Sequence, residues 1–369
     1  HKRIPKDVAE HPTILGHEFS GVIVEVGKKY QGKWDVGQRY GIQPATNYPN
    51  GPVGILSAPG YSYRYIGGNA TYAIVPRDVL EMDCLLPFSG DAFFKASLAE
   101  PMSCIIGACR AQFHAPQGTY RHEMGIVAGG NMALLAGAGP MGLGLIDYAT
   151  HGPRQPKLLV VTDIDDARIA RARELFPETA AQACGVELVY VNTKTENLVE
   201  RVKALTGGAM MHDVFVFAPI PPVFEQGQSI LGFEGTLNFF AGPTDPTLSA
   251  KLNIYDVHYN FHKVIGTSGG NTDDMREALE LMSAGKINPA AMVTHIGGIT
   301  AAAETTLHLP EILGGKKLMY TEFDMPLVSI ADLERLGAET PGALGDLYRG
   351  LAPIVSAHKG LWSAEAEQL

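Results

Sequence analysis

The chain has 369 residues, of which 46% are hydrophobic and 18% charged, and carries a formal net charge of −10. That length exceeds what a single core sustains, so two domains are expected, and the apolar share excludes a disordered chain. The acidic balance without a long Lys/Arg run argues against a nucleic-acid partner, and no apolar stretch reaches the roughly eighteen residues of a membrane helix.

FSGVIVEVG at 19–27 is rich in β-branched residues and predicts a strand, as do 39–43 and TYAIVP at 71–76. Between them, 44–60 is dense in Pro, Gly, Asn and Ser and reads as a long loop. The first 95 or so residues therefore predict an all-β lobe of short strands. After Pro101, MSCIIGACRAQFH has helical spacing and leads out of that lobe. Strand candidates then follow at 133–136, 158–162, 187–191, 213–217, 236–241 and 263–266. They alternate with helical windows at 166–175, 196–205, 223–231 and 273–283. Continuously apolar strands separated by helices predict a six-stranded, doubly wound parallel sheet buried on both faces. GGKKLMYTEF near the end reads as a strand returning to the first lobe, and short helical pieces at 330–336 and 344–351 follow Pro326. No repeat or low-complexity segment interrupts the chain. The expected division is 1–100 with 290–369 for one domain and 101–289 for the other.

Two stretches concentrate chemistry. LLAGAGPMGLGLI places Gly137, Gly139 and Gly142 in GxGxxG after an apolar run, with Pro140 and Met141 opening a helix. The first glycine permits the turn, the second admits a pyrophosphate, and the third lets helix and strand pack closely. Asp163 ends the next apolar run, roughly twenty residues onward, where an acid meets ribose hydroxyls. The plainer alternative is a glycine-rich packing turn in an unrelated α/β domain. Asp165 and Asp166 would repel a 2′-phosphate and favour NAD, whereas Arg168 and Arg171 would favour NADP.

The second stretch is GHEFSGVIVEVG. His17 and Glu18 are competent zinc ligands, but neighbours in a strand point apart, so a turn must aim them together. Glu100, before Pro101, offers another carboxylate. The alternatives are a surface histidine beside a solvated glutamate, and an acid complementing a helix N-terminus. Cys84, Cys104, Cys109 and Cys184 show no CxxC spacing and are too few for a disulfide scaffold, which points to a reducing cytoplasm. The chain opens at His1 rather than Met, which is compatible with an upstream segment, including a removed targeting peptide.

GHEFSGVIVEVG, GNATYAIVP, LAEPMSCIIGACR and LLAGAGPMG with VVTDID occur in the order and approximate spacing of the zinc-dependent medium-chain alcohol and polyol dehydrogenases. The resemblance covers about 13–323. The EP variant resembles sorbitol dehydrogenases, while YRHEMGI, FFAGP, GTSGGNTDDM and MVTHIGG look like the branch that reduces L-sorbose 1-phosphate. The resemblance implies a GroES-like catalytic domain joined to a Rossmann domain, with the active site in the cleft between them. It implies one catalytic zinc held by His17, Glu18 and Glu100, and Cys104 beside the nicotinamide of NAD or NADP. The branch it resembles is associated with NADPH. The family's upstream Cys ligand and the hydroxyl residue after it have no counterpart among the sixteen residues before His17. The four-cysteine structural zinc lobe is also absent.

The implied reaction is hydride transfer between the cofactor and a ketose or polyol, reducing L-sorbose 1-phosphate to D-glucitol 6-phosphate or serving as a general sorbitol/polyol dehydrogenase. Rivals are a cofactor-binding protein without turnover and a zinc-free quinone or enone reductase. Lys2, Arg3, Lys6, Arg64, Lys95 and Arg121 are candidate phosphate cations, with Arg121 and His122 favoured. The resemblance implies a homodimer or homotetramer joined through edge strands of the cofactor domain, with VIGTSGG the candidate; the charge and the apolar runs lead to no nucleic-acid or membrane partner.

Overall fold

A computed structural model of the protein describes residues 2–369; His1, where the first expected domain opens, lies outside the described residues. Two compact units divide the chain, one of residues 2–103 with Gly270–Leu369 and the other Cys104–Gly269.

The first unit begins with β1 (Ser20–Val22), β2 (Arg39–Ile42), β3 (Pro52–Ile55), α1 (Arg77–Glu81), β4 (Leu85–Pro87) and α2 (Phe93–Ser97), and reaches the start of α3 (Ala99–Ala111). Strands β1, β2 and β4 form an antiparallel sheet in that order. Its core gathers Phe19, Ile23, Tyr40, Ile42, Tyr63, Ile66, Val79 and Leu85. The first strand is shorter than 19–27, because its partner gives way to a turn: Ile23 N donates to Gln38 O at 2.9 Å and Ile23 O accepts from Gly37 N, in that turn, at 2.7 Å. The expected strand at 71–76 is not regular. Ile74 bonds Tyr65 at 2.7 Å, and Pro76, which has no N–H to give a ladder, opens α1.

The second unit takes up the rest of α3 and then the hairpin β5 (Phe113–His114) and β6 (Glu123–Met124). Strands β7 (Asn131–Leu135), β8 (Leu158–Asp163), β9 (Glu187–Asn192), β10 (Met211–Val216), β11 (Leu231–Phe239) and β12 (Lys263–Gly266) follow. Helices α4 (Pro140–His151), α5 (Asp166–Leu175), α6 (Glu178–Ala183), α7 (Leu198–Thr206), α8 (Pro221–Ser229) and α9 (Ile254–Tyr259) lie between them in sequence. All six strands are parallel, in the order β12-β11-β10-β7-β8-β9. The order reverses at β7, and such switch points are where open α/β sheets bind ligands. Strands β7 and β8 are buried along their whole length, as apolar runs flanked by helices require. Strand β11 starts earlier than residue 236, because Leu231 already pairs with Met211 before the register shifts ahead of Thr236.

The chain then returns to the first unit with α10 (Thr272–Ser283), β13 (Val293–Gly298), α11 (Ala302–Leu307), β14 (Lys316–Tyr320), β15 (Val328–Ser329), α12 (Leu333–Glu339), α13 (Gly342–Ala357) and α14 (Ala364–Gln368). Strand β13 pairs in parallel with β14 and antiparallel with β15. Residues 270–289 lie within this unit. A capping box between Asn271 and Asp274 starts α10 and aims Met275, Ala278, Leu279 and Met282 inward. Gln43 Nε2 donates to Asn271 O at 3.0 Å, and a Cβ added at Gly41 would lie 3.1 Å from the Met275 thioether methyl.

That packing predicts that Met275→Ala lowers stability by about 2–5 kcal/mol. Leu313→Ala, at a side chain 84% exposed, changes it by no more than about 0.5 kcal/mol. Urea unfolding of both variants checks the contrast.

Candidate metal centre and dinucleotide cradle

Gly16 provides the turn that the GHE motif needs. Its φ of +94° lies in the left-handed region, and its carbonyl accepts from Gly68 N at 2.7 Å. Gly60 packs directly beneath, where an added Cβ would come within 2.3 Å of Gly16 O and 2.5 Å of the His17 Cα. The chain bends at His17 and Glu18 beside this close backbone contact, and the two neighbours converge. Glu100 arrives separately, in the first turn of α3, with its side chain buried. One ligand atom from each of His17, Glu18 and Glu100 lies within 4.8 Å of the other two.

Around this cluster, the Tyr61 ring packs on the His17 imidazole with centroids 4.7 Å apart, and its hydroxyl lies 3.5 Å from Nε2. Lys316, the first residue of β14, pairs with Glu18. Burial is the main cause that pushes the His17 pKa below its ordinary value, against the opposing pull of Glu18. Neutral imidazole has the lone pair that a metal requires. One imidazole and two carboxylates match the His/Glu ligands of zinc sites that use three protein groups and keep a position open. The donor set therefore fits zinc.

In the second unit, Gly139 is the N-cap of α4 and Pro140 its first residue, with no side chain capping the helix. The leading N–H groups are thus available to an anion. A Cβ at Gly142 would lie 1.9 Å from Gly137 O, whereas nothing lies within 4 Å of one at Gly139. The third glycine is demanded by helix–strand packing and the second leaves room for a ligand. Met141 follows in the first turn of the helix. Asp163 ends β8, only 4% exposed; its Oδ1 accepts from Ile164 N at 2.8 Å and Asp165 N at 3.2 Å, while the buried Oδ2 has no protein partner. An acceptor buried without a partner is costly, and a ribose hydroxyl is a donor that would fit it. Arg168 N caps onto Asp165, and its side chain is exposed with Nε 3.9 Å from Asp165 Oδ2. Cys104 is four residues after Glu100, on the same face of α3.

Residues 140–284 match the family described as zinc-binding dehydrogenase, and 2–83 match the alcohol dehydrogenase GroES-like domain. The chain is 47% identical to a mannitol-1-phosphate 5-dehydrogenase of Aliivibrio fischeri, over all of this chain and 85% of that one. It is also 47% identical to an L-sorbose 1-phosphate reductase of Klebsiella pneumoniae, over all of this chain and 84% of that one. The chain belongs to the zinc-binding alcohol and polyol dehydrogenases. Within that family it stands with the polyol-phosphate dehydrogenases. The solved 2R,3R-butanediol dehydrogenase of Bacillus subtilis shares the fold, with a TM-score of 0.63 at 21% identity over 84% of this chain and 81% of that one.

As a member of this family the protein is an oxidoreductase that pairs zinc with a nicotinamide dinucleotide. Its GroES-like and Rossmann parts agree with the fold expected from the sequence. Arg121, favoured for a phosphate, has a side chain 81% exposed and lies 3.6 Å from Glu123. Two residues at the metal cluster escaped the sequence reading, Tyr61 and Lys316. Each is brought there by tertiary structure, 44 and 298 residues from its partner. Among the described residues, no helix is long and apolar enough to cross a membrane.

The glycine geometry separates two variants. Gly142→Ala forces its methyl onto Gly137 O, so both thermal stability and NADH binding fall. Gly139→Ala meets nothing in the protein, so its melting temperature stays near wild type while NADH binding weakens. Thermal unfolding with fluorescence titration checks both.

Proposed function

We propose that the protein interconverts a ketose phosphate and a polyol phosphate, with L-sorbose 1-phosphate and D-glucitol 6-phosphate as its pair. The convergence of His17, Glu18 and Glu100 carries this reading, in a chain similar along its whole length to enzymes named for sugar phosphates. Residues 2–103 with 270–369 form the catalytic domain in this reading, and 104–269 the dinucleotide-binding domain. His17, Glu18 and Glu100 would hold the zinc. Bound there, zinc supplies a Lewis acid that draws electron density from a ketone oxygen and lowers the pKa of an alcohol.

The chain's own groups do the rest. His17 offers a neutral imidazole, held in place by the Tyr61 ring. Asp163 would accept the ribose hydroxyls and the α4 N-terminus would take the pyrophosphate, with Gly137, Gly139, Pro140, Met141 and Gly142 shaping that cradle. Cys104 would lie beside the nicotinamide. A bound reduced nicotinamide would supply the hydride for a carbonyl carbon, with the proton for its oxygen drawn from solvent. Asp163, with Asp165 and Asp166 nearby, disfavours a 2′-phosphate, so NAD is the cofactor we assign over NADP.

The substrate phosphate is assigned to Arg3 and Lys316 rather than Arg121. Lys316 sits on Glu18, and the charges of both Lys316 and Arg3 act on His17. Arg3 is anchored there, its NH1 donating to Leu56 O at 3.1 Å and its carbonyl accepting from Ser62 Oγ at 2.5 Å. A general polyol dehydrogenase is the second reading. In either, the protein works in the cytoplasm as a homodimer or homotetramer joined at β12, an edge strand with Val264 exposed.

If phosphate is recognised, kcat/KM for L-sorbose 1-phosphate exceeds that for L-sorbose by up to about 10⁴-fold, the range that sites built around polar partners reach. Arg3→Ala narrows that ratio and Arg121→Ala leaves it alone. Comparable values for both sugars in the wild type support the general polyol dehydrogenase instead. A parallel titration shows NADH binding more tightly than NADPH; the reverse order contradicts the Asp163 assignment.

A further inference from the structure

The reaction proposed above makes no use of the chain beyond Pro326, yet its last helix reaches the segment that delivers Glu100. Helix α2 has Ala92 as its N-cap, which offers no side chain to the first backbone N–H groups. Glu367, in α14, fills that role from the far end of the sequence. Its Oε1 accepts from Phe93 N and its Oε2 from Phe94 N at 2.9 Å. The same Oε2 accepts from the Tyr320 hydroxyl at 2.9 Å, and Trp362 Nε1 donates to that hydroxyl at 2.6 Å.

Helix α2 runs on toward the metal cluster with little break. Leu98 N donates to Phe94 O at 3.0 Å, and Met102 N to Leu98 O at 3.1 Å, so the hydrogen bonding continues through Leu98 into α3, which bears Glu100. Ala92, Phe94 and Leu98 share one core with Trp362 and Ala366, so α2 is packed by the tail as well as capped by it. Tyr320 also ends β14, whose opposite end, Lys316, pairs with Glu18. A single carboxylate in the tail is thus tied to both segments that flank two of the three ligand residues.

We propose that Glu367 is a positioning residue for the metal centre: it holds the N-terminus of α2 and, through the start of α3, sets the place of Glu100. This rests on the zinc reading of His17, Glu18 and Glu100. A tail that merely covers apolar surface would stabilise the fold without tuning metal affinity, and the two roles separate by measurement.

Zinc affinity of the metal-free protein is measured by competition with a chromophoric chelator, together with the melting temperature. Glu367→Ala weakens zinc binding by about 10-fold, the lower end of the loss seen when groups supporting metal ligands are removed. Glu367→Gln, which keeps one acceptor oxygen, falls between, and it carries the test if the alanine variant does not fold. Glu365→Ala, on the same helix and exposed, binds zinc as the wild type does. In a Glu100→Ala background, Glu367→Ala produces no further loss, because residues acting through one another are not additive. Wild-type zinc affinity in Glu367→Ala with only a lowered melting temperature overturns the proposal, as does an undiminished effect in the Glu100→Ala background. A wild-type protein that takes up no zinc overturns the metal reading itself, a result distinct from a zinc-binding wild type with an unaffected variant.

Discussion

Glu18 and Glu100 hold two carboxylates, with an imidazole, inside a sphere where no ligand atom is more than 4.8 Å from another. At an effective dielectric constant of about 20, two full negative charges at that spacing repel by roughly 3 kcal/mol. A fold keeps such an arrangement when a cation offsets it, and the rest of the first unit serves that condition. Gly16 and Gly60 close the turn that brings Glu18 beside His17, α3 carries Glu100 in, and Lys316 supplies one positive charge from a strand late in the chain. A zinc ion held there would supply the second and accept the imidazole lone pair, which a lysine cannot.

The dinucleotide cradle solves a different problem with fewer parts. Its demands are local: a turn tight enough that only hydrogen fits at Gly142, an uncapped helix start, and one buried carboxylate oxygen lacking a partner. All three arise within about thirty residues of β7–α4–β8, the span of one strand–helix–strand unit. Glycine spacing and the acid at Asp163 are therefore readable without the structure.

The same distinction explains what was legible elsewhere. His17, Glu18 and Glu100 stand in short motifs, so their chemistry could be read from neighbours in sequence. Tyr61, Lys316 and Glu367 could not, because each meets its partner across 44, 298 and 274 residues, and none lies in a local pattern that distinguishes it from a surface side chain. Apolar runs located the six parallel strands well, since burial on both faces removes the ambiguity of alternation. In the β-rich lobe, β-branched residues at 71–76 suggest a strand, but Ile74 bonds Tyr65 outside any ladder and Pro76, with no N–H to give, opens α1. The partner of helix α10 was hidden for a similar reason: its periodicity shows an apolar face, and only tertiary structure shows that Gly41 receives it.

Metal content of the purified protein tests the central claim most directly. Elemental analysis is expected to find one zinc per chain in the wild type and a stoichiometric loss in His17→Ala, with turnover reduced at least about 10 to 100-fold, since removing a ligand costs no less than removing its support. Full activity in a zinc-free preparation, or unchanged zinc content in His17→Ala, would contradict the account.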